Sequence, residues 1–470
     1  MQHQAPTRGA PPESERSNRI ASFILWTSVA AAPLPFGSID PPVVALWCIA
    51  LGVALAFASP RALRHAQLAY LLAFALVVFA LAFVLNEQLA RSPWTAASPH
   101  PIWRRTADLL GIAIEPSVSI ARHQPFFALG APLAAMLSLA CGYLVCGERA
   151  RAHQLLAVIA WSGLAYALIG IASFVIDPTK TFWREKVAYA SSLTTPFLHR
   201  NTAALYFGSC AIVCSLLFWQ NLRAQRADGM WSWFRVDEPR QLVRPALMFL
   251  CCLAALSLTA SRAGMVLSLG GLVTAFTLYF WRRLPRRAGP VAALVVGGAI
   301  ALVFLHTLAG GVASRFEAHG LGDPARLDTY RASMDMIADR PWLGTGLGTF
   351  VWTFPQYRYD TTSMWGIWDK AHNTLLEIAA EAGLPLMLVV LAGWLVILGV
   401  LIHGVCVRRR DVAVPVAALS VALVSLAHSL IDFSLQIPGY AIPVFALVGA
   451  GLAQSFPTRR NSRLASNEPD

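Results

Sequence analysis

Residues 245–281 read PALMFLCCLAALSLTASRAGMVLSLGGLVTAFTLYFW, an apolar block interrupted by a single charge, Arg262. As one helix this block is about 55 Å long, nearly twice the hydrocarbon thickness of a bilayer. It would also carry Arg262 to mid-bilayer, where a guanidinium is costly. As two helices broken at TASRAG (Thr259 to Gly264), each half has the length that a span requires. Arg262 then falls at the membrane surface. The broken reading is adopted, and the rest of the chain divides in the same way.

Apolar runs of spanning length occur at 20–36, 42–58, 68–86, 126–146, 155–176, 201–220, 245–260, 263–281, 290–308, 384–405, 414–431 and 439–455. They predict about twelve transmembrane helices. Of the 470 residues, 56% are apolar and 13% charged, against about 25% charged in soluble domains. This excludes a soluble enzyme with a single anchor. In hydrocarbon each segment must satisfy its own backbone, so the spans should be helices. The period-2 alternation of a membrane barrel is absent.

The expected fold is an all-α polytopic membrane protein. A disordered tail covers 1–19, nine spans lie within 20–308, a large helical loop covers 309–383, three spans lie within 384–456, and a tail covers 457–470. The first span passes SVAAAP (28–33), which resembles a signal-peptide cleavage site. The long polar tail ahead of it and the spans after it favour an uncleaved helix.

Short arginine-dense connections set the expected orientation. PRALRH, ERARAH, RRLPRR and RRRD, with both tails and the segment 221–244, fall on one side, which reads as cytoplasmic. The longer connections 87–125, 177–200 and 309–383 then lie outside, in the periplasm. The three lysines, Lys180, Lys186 and Lys370, are on that outer side, a small departure that long loops tolerate. Attraction to anionic headgroups accounts for the net charge of +12 without a nucleic-acid partner. The eight cysteines sit in apolar runs or at their ends, so neither a disulfide nor a zinc site is expected. ADGMWSWFRVDEPRQ, in the cytoplasmic segment, finds no explanation.

The outer loop is patterned. DPARLDTYRASMDMIADRP predicts a helix that starts at Asp-Pro and ends at Pro341. Leu327, Tyr330, Met334 and Ile337 form its apolar stripe. Arg326 opens this helix, where a cation opposes the dipole and an anionic partner would relieve it. Arg331 reads as a solvated helix-face charge. PWLGTGLGTF is a glycine-rich turn and lacks the context of a phosphate-binding loop. The aromatic stretch FVWTFPQYRYDTTSMWGIWDK suits a membrane interface, although aromatic faces also stack on sugar rings. A short helix should follow His372 and end at Gly383, with Pro385 beyond.

ARLDTYRASMDMIADRPWLGTGLGTF followed by AHNTLLEIAAEAGLP resembles the signature loop of the bacterial O-antigen ligase and polymerase superfamily. FLHRNTAALYFG (197–208), TASRAG (259–264) and HSLIDFSLQIP (428–438) are similar to further patterns of that family, and the resemblance spans roughly 197–440. It implies an inner-membrane glycosyltransferase of the GT-C type. The implied donor is a glycan on undecaprenyl diphosphate at the periplasmic face. The implied acceptor is lipid A–core, another glycan or another hydroxyl. The transfer would be inverting and metal-independent, with no cofactor. Ligase and polymerase are not separated by these motifs.

The chemistry agrees. Nucleotide sugars are not available outside the membrane, so the donor must carry its own activation, and a lipid diphosphate does. Arginine forks suit such a leaving group, and a fixed cation stabilises the charge that develops on it. No acidic pair with metal-ligand spacing stands out. Arg262, Arg326 and Arg200 are the candidates, although an arginine at a helix end also snorkels to headgroups. His372 is the candidate general base for the acceptor hydroxyl. A lone histidine is more often structural, and it is the motif around His372 that singles it out. Asn373 could orient the ring or the acceptor. Glu377, about 140° around the helix, reads as helix support. His428 and Asp432, spaced i, i+4, read as a buried pair or as a supporting feature of the site. A lipid-linked oligosaccharide flippase is the competing class. It would place charges at mid-membrane, where these spans have almost none. A polymerase of the shape–elongation–division class would need an acidic outer-loop motif, which is not found.

Overall fold

The computed structural model describes residues 13–59, 65–225, 239–282, 324–362, 367–408 and 411–456, and these are mostly helical. In chain order the helices are α1 (Glu13–Ala31), α2 (Pro41–Phe57), α3 (His65–Leu89), α4 (Pro101–Leu110), α5 (Gln124–Ala128), α6 (Gly130–Val145) and α7 (Arg149–Ile176). A two-residue hairpin follows, β1 (Lys180–Thr181) with β2 (Arg184–Glu185), pairing Lys180 with Glu185. Then come α8 (Arg200–Ala224), α9 (Pro239–Leu258), α10 (Arg262–Phe280), α11 (Pro324–Asp339), α12 (Phe350–Tyr357), α13 (Thr374–Ala382), α14 (Leu384–Val407), α15 (Ala413–Ser429) and α16 (Pro438–Gln454).

Seven of the helical segments are long and apolar enough to cross a membrane, and α2, α15 and α16 are shorter apolar helices. Each predicted span has a helix in its place except 290–308, which lies outside the described residues. So do 1–12, 226–238, 309–323 and 457–470, and with them most of the unexplained cytoplasmic segment. The predicted tail 1–19 needs correction, because α1 already begins at Glu13. Arg19 donates to Glu15 at 2.7 Å, an i, i+4 pair that supports this polar first turn.

α8 is the central helix. Its stretch Asn201–Leu216 is buried throughout, and α7, α9, α10 and α15 pack around it. Small residues allow the close approaches. A Cβ on Gly142 of α6 would meet the Ala446 carbonyl oxygen at 2.3 Å, and one on Gly449 of α16 would meet that of Leu139 at 2.2 Å. Such stripes hold membrane helices together where no hydrophobic force separates protein from lipid. On the outside, Leu72, Leu76 and Phe79 of α3 and Leu388 of α14 are exposed. In water they would form an aggregating surface; in a bilayer they contact lipid.

The block 245–281 breaks where expected. α9 ends at Leu258, Ala260 takes a left-handed φ of 50°, and the Ser261 hydroxyl caps α10 by accepting from the Gly264 amide at 3.2 Å. Arg262 is the first residue of α10.

At this end of the bundle α11, α12 and α13 pack on a small core of their own, built from Ala332, Met336, Phe350, Phe354, Ala371 and Ala380. The predicted apolar stripe of α11 is corrected here. Leu327 and Met334 are exposed at 55% and 52%, whereas Thr329, Ala332, Ser333 and Met336 are buried. Small side chains let α11 lie close against α13. Its threonine and serine satisfy themselves, since Thr329 Oγ1 donates to the Ala325 carbonyl and Ser333 Oγ to that of Thr329.

Candidate active site

Asp432 is the point where four segments meet. It lies in the link between α15 and α16 and is 1% exposed. Its Oδ1 lies 3.3 Å from His372 Nδ1 and accepts from the Phe433 amide at 2.8 Å. Its Oδ2 accepts from Asn201 Nδ2 in the first turn of α8 and lies 3.6 Å from Arg326 Nη2 in α11. Asn201 in turn accepts from Ser261 Oγ at 2.7 Å. One buried carboxylate therefore links α8, the α9–α10 break, the loop and the last pair of helices. Burial by itself would raise the Asp432 pKa. The His372 hydrogen bond and the His199 and His428 rings outweigh it and hold the carboxyl well below its usual range.

His372 is held by its backbone as much as by its ring. Its φ of 52° is left-handed, a conformation that costs energy for a residue with a Cβ and is maintained by its surroundings. Tyr330 of α11 donates to the His372 carbonyl at 3.0 Å. Asn373 caps α13, accepting from the Leu375 and Leu376 amides at 3.1 Å each, and donates to the Leu430 carbonyl. Glu377 is buried. Its carboxylate accepts from the Ala371 amide at 2.9 Å and from Lys370 Nζ at 3.0 Å. Its role is thus more specific than helix support, because it fixes the residues just ahead of His372. Trp368 and Phe433 pack on the imidazole, with ring centroids 5.9 and 5.1 Å away.

The three candidate arginines differ. Arg326 joins the His372–Asp432 pair directly and also donates to the Ile431 carbonyl at 2.6 Å. Arg262 is the residue after Ser261 and the first of α10. Arg200 stands over the Tyr189 ring at 4.7 Å. Its neighbour His199, rather than Arg200, approaches the site, with ring centroids 6.5 Å from His372 and 5.0 Å from Phe433. Burial holds His199 below the ordinary imidazole range, with Asp432 pulling the other way. The expected His428–Asp432 side-chain pair does not form. α15 stops at Ser429, neither buried ring nitrogen of His428 has a hydrogen-bond partner, and Asp432 turns to His372 instead. Arg331 pairs with Asp328 at 3.3 Å on an exposed face, as read from the sequence.

Beside this cluster opens a cavity of about 1410 Å³ that runs down between the spans. His372, Lys370, Glu377 and His199 line its polar end, and Phe74, Met136, Trp394 and Leu398 its apolar length. Arg326, Asp432, Arg262 and Arg200 are not among the lining residues. Lys370, among the polar residues at that end, also donates to Gln436 Oε1 at 2.8 Å. Burial opposes its charge, but Glu377 and Glu381 keep its pKa raised.

The glycine-rich turn completes the wall. Gly344, Gly346 and Gly348 all have positive φ. Glu381, buried in α13, accepts from the Gly348 and Phe350 amides at 2.8 Å each, and Gln88 of α3 accepts from the Leu347 amide. Burial, then the nearby Glu377 charge, pushes the Glu381 pKa up to about 7. Asn201, Ser261, His199, Lys370 and Glu381 were not singled out from the sequence. Asn201 and Ser261 each adjoin a candidate arginine, which was the available signal. Among the described residues no cluster of three His, Cys, Asp or Glu side chains is placed to hold a metal ion.

Comparison of the whole chain with curated proteins gives no match. Residues 247–391, from within α9 to the first turns of α14, match the family model described as O-antigen ligase. This segment, which contains Arg262, Arg326 and His372, is what the chain shares with the O-antigen ligase family.

Proposed function

We propose that this protein is an inner-membrane glycosyltransferase. It moves a glycan from an undecaprenyl-diphosphate-linked donor to a hydroxyl acceptor, on the periplasmic face. The observation that carries the reading is Asp432 holding the His372 imidazole and the Arg326 guanidinium together at the polar end of an apolar cavity. The apolar length suits a polyprenyl chain, and the polar end suits the diphosphate and its sugar.

In this reading the acceptor oxygen attacks the anomeric carbon while the bond from that carbon to the phosphate oxygen breaks. The bonding pair leaves with the diphosphate. With the Nδ1 proton directed at Asp432, Nε2 of His372 is left to take the hydroxyl proton, and the Asp432 carboxylate stabilises the imidazolium that forms. Arg326 and Arg262, with Arg200 next to His199 in the chain, supply positive charge where the leaving group gains negative charge. Because Arg326, Arg262 and Arg200 are not among the residues that line the cavity, substrate binding must bring them into direct contact or use them through the field alone. Lys370, Lys186 and Arg184 are cations that line the cavity itself, Lys370 beside His372 in the chain.

The test is reconstitution into liposomes with an undecaprenyl-diphosphate oligosaccharide and candidate acceptors. A new glycosidic bond, with undecaprenyl diphosphate released, is the expected outcome. Movement of the intact donor across the bilayer without bond formation would make the protein a flippase instead.

A further inference from the structure

A second cavity, of about 510 Å³, opens on the other side of the glycine-rich turn. Leu343 and Gly344 line it, while Leu347 and Gly348 line the large one. Only Thr345 and Gly346, both buried, lie between them in the chain. The volume falls in the range of small-ligand sites, and the lining differs from that of the large cavity. Arg105 of α4 and Arg340 after α11 contribute two cations, and Trp342, Tyr357 and Gln356 contribute aromatic and amide groups.

Each group has a physical reason to be read as part of a site. Trp342 is 74% exposed on a turn in which Gly344 and Gly346 are buried, so its indole presents a broad amphipathic face that the fold itself does not use. Arg340 is fixed by donating to the Ser98 and Pro99 carbonyls at 3.2 and 3.1 Å, and a fixed guanidinium loses little freedom on binding an anion. Asp339 is the acidic group in the lining, and it is engaged by the Tyr357 hydroxyl at 2.7 Å. His100, buried beside the cavity, has its pKa pushed down to about 4, first by burial and then by the Arg340 and Arg105 charges. The two guanidinium groups thus create a positive field at this cavity.

We infer that this cavity binds an acidic sugar, one bearing a carboxylate or phosphate, of the glycan that the enzyme handles. The sugar ring stacks on Trp342 and its anionic group meets Arg105 and Arg340. A single turn of chain then separates this sugar from the reaction cavity. The inference rests on the glycosyltransferase reading for its source of sugar, but its test does not depend on transfer.

The experiment uses the full chain in phosphatidylcholine nanodiscs, titrated calorimetrically with trigalacturonate, maltotriose or inorganic phosphate at matched ionic strength. Trigalacturonate should bind at least about tenfold more tightly than either control, the scale of one charge-assisted contact. Arg105→Ala and Trp342→Ala, both at exposed positions, should each weaken it by about tenfold or more, while His372→Ala leaves it within about twofold. The inference is overturned by equal affinity for maltotriose, by phosphate binding as well as trigalacturonate, by Arg105→Ala binding like wild type, or by no binding. If trigalacturonate binds as expected while no transfer occurs in the liposome assay, the site stands and the reaction assigned to the protein falls.

Discussion

Asp432 does at the residue scale what the sequence leaves divided among distant motifs. His372, Arg326 and Asp432 were each legible as chemistry-bearing residues in recurrent patterns. Their connection was not, because it runs through Asn201 and Ser261, polar side chains that look ordinary until α8 and the α9–α10 break are brought together. The i, i+4 spacing of His428 and Asp432 pointed to the wrong partner, since the helix ends before it reaches Asp432. Asp432→Asn keeps the shape but removes the charge facing Nδ1, and its amide can favour the wrong histidine tautomer. Initial transfer rates should fall on the order of a hundredfold or more, with donor binding nearly unchanged. Wild-type rates in that variant would remove Asp432 from the mechanism. A depressed carboxylate contributes its stability above its unfolded value of about 3.9 and loses it only as pH falls through the lower folded value. Asp432 therefore stays charged throughout the neutral range.

Glu381 makes the opposite prediction at the scale of the element. Its folded pKa is raised to about 7, above the unfolded value of about 4.3. The native state then binds the extra proton between these values, so stability falls as pH rises through that window. Glu381→Gln cannot ionise. In detergent, the wild-type unfolding temperature should drop from pH 4.5 to 7.5 relative to the variant, and parallel curves would contradict the assignment. The slope is the readout, because a glutamine also accepts less well from the Gly348 and Phe350 amides. Element boundaries here were readable from punctuation: Asp-Pro and Pro341 around α11, Gly383 at the end of α13, TASRAG between α9 and α10. The buried face of α11 was not. Hydrophobic periodicity selected Leu327 and Met334, whereas close packing against α13 selected Thr329, Ala332 and Ser333, whose size mattered more than their polarity.

For the whole molecule, composition and span length were sufficient to predict a helical membrane bundle, because lipid allows the backbone only helices or closed barrels and the alternation of a barrel is absent. The cavity was not predictable, since its wall comes from α3, α6, α8, α14 and the loop at once. Under the proposed function, its placement would let one chain serve both a lipid and a sugar. The spans hold the apolar length, and the loop helices hold a histidine at its polar end in a strained backbone conformation. The measurement that bears most directly on this arrangement is the initial rate of undecaprenyl diphosphate release by the purified protein with donor and acceptor present, compared between wild type and His372→Ala. With His372 as proton acceptor, the variant should lose on the order of 10²–10⁴-fold in rate while binding the donor with unchanged affinity. Release at the wild-type rate from His372→Ala would contradict it.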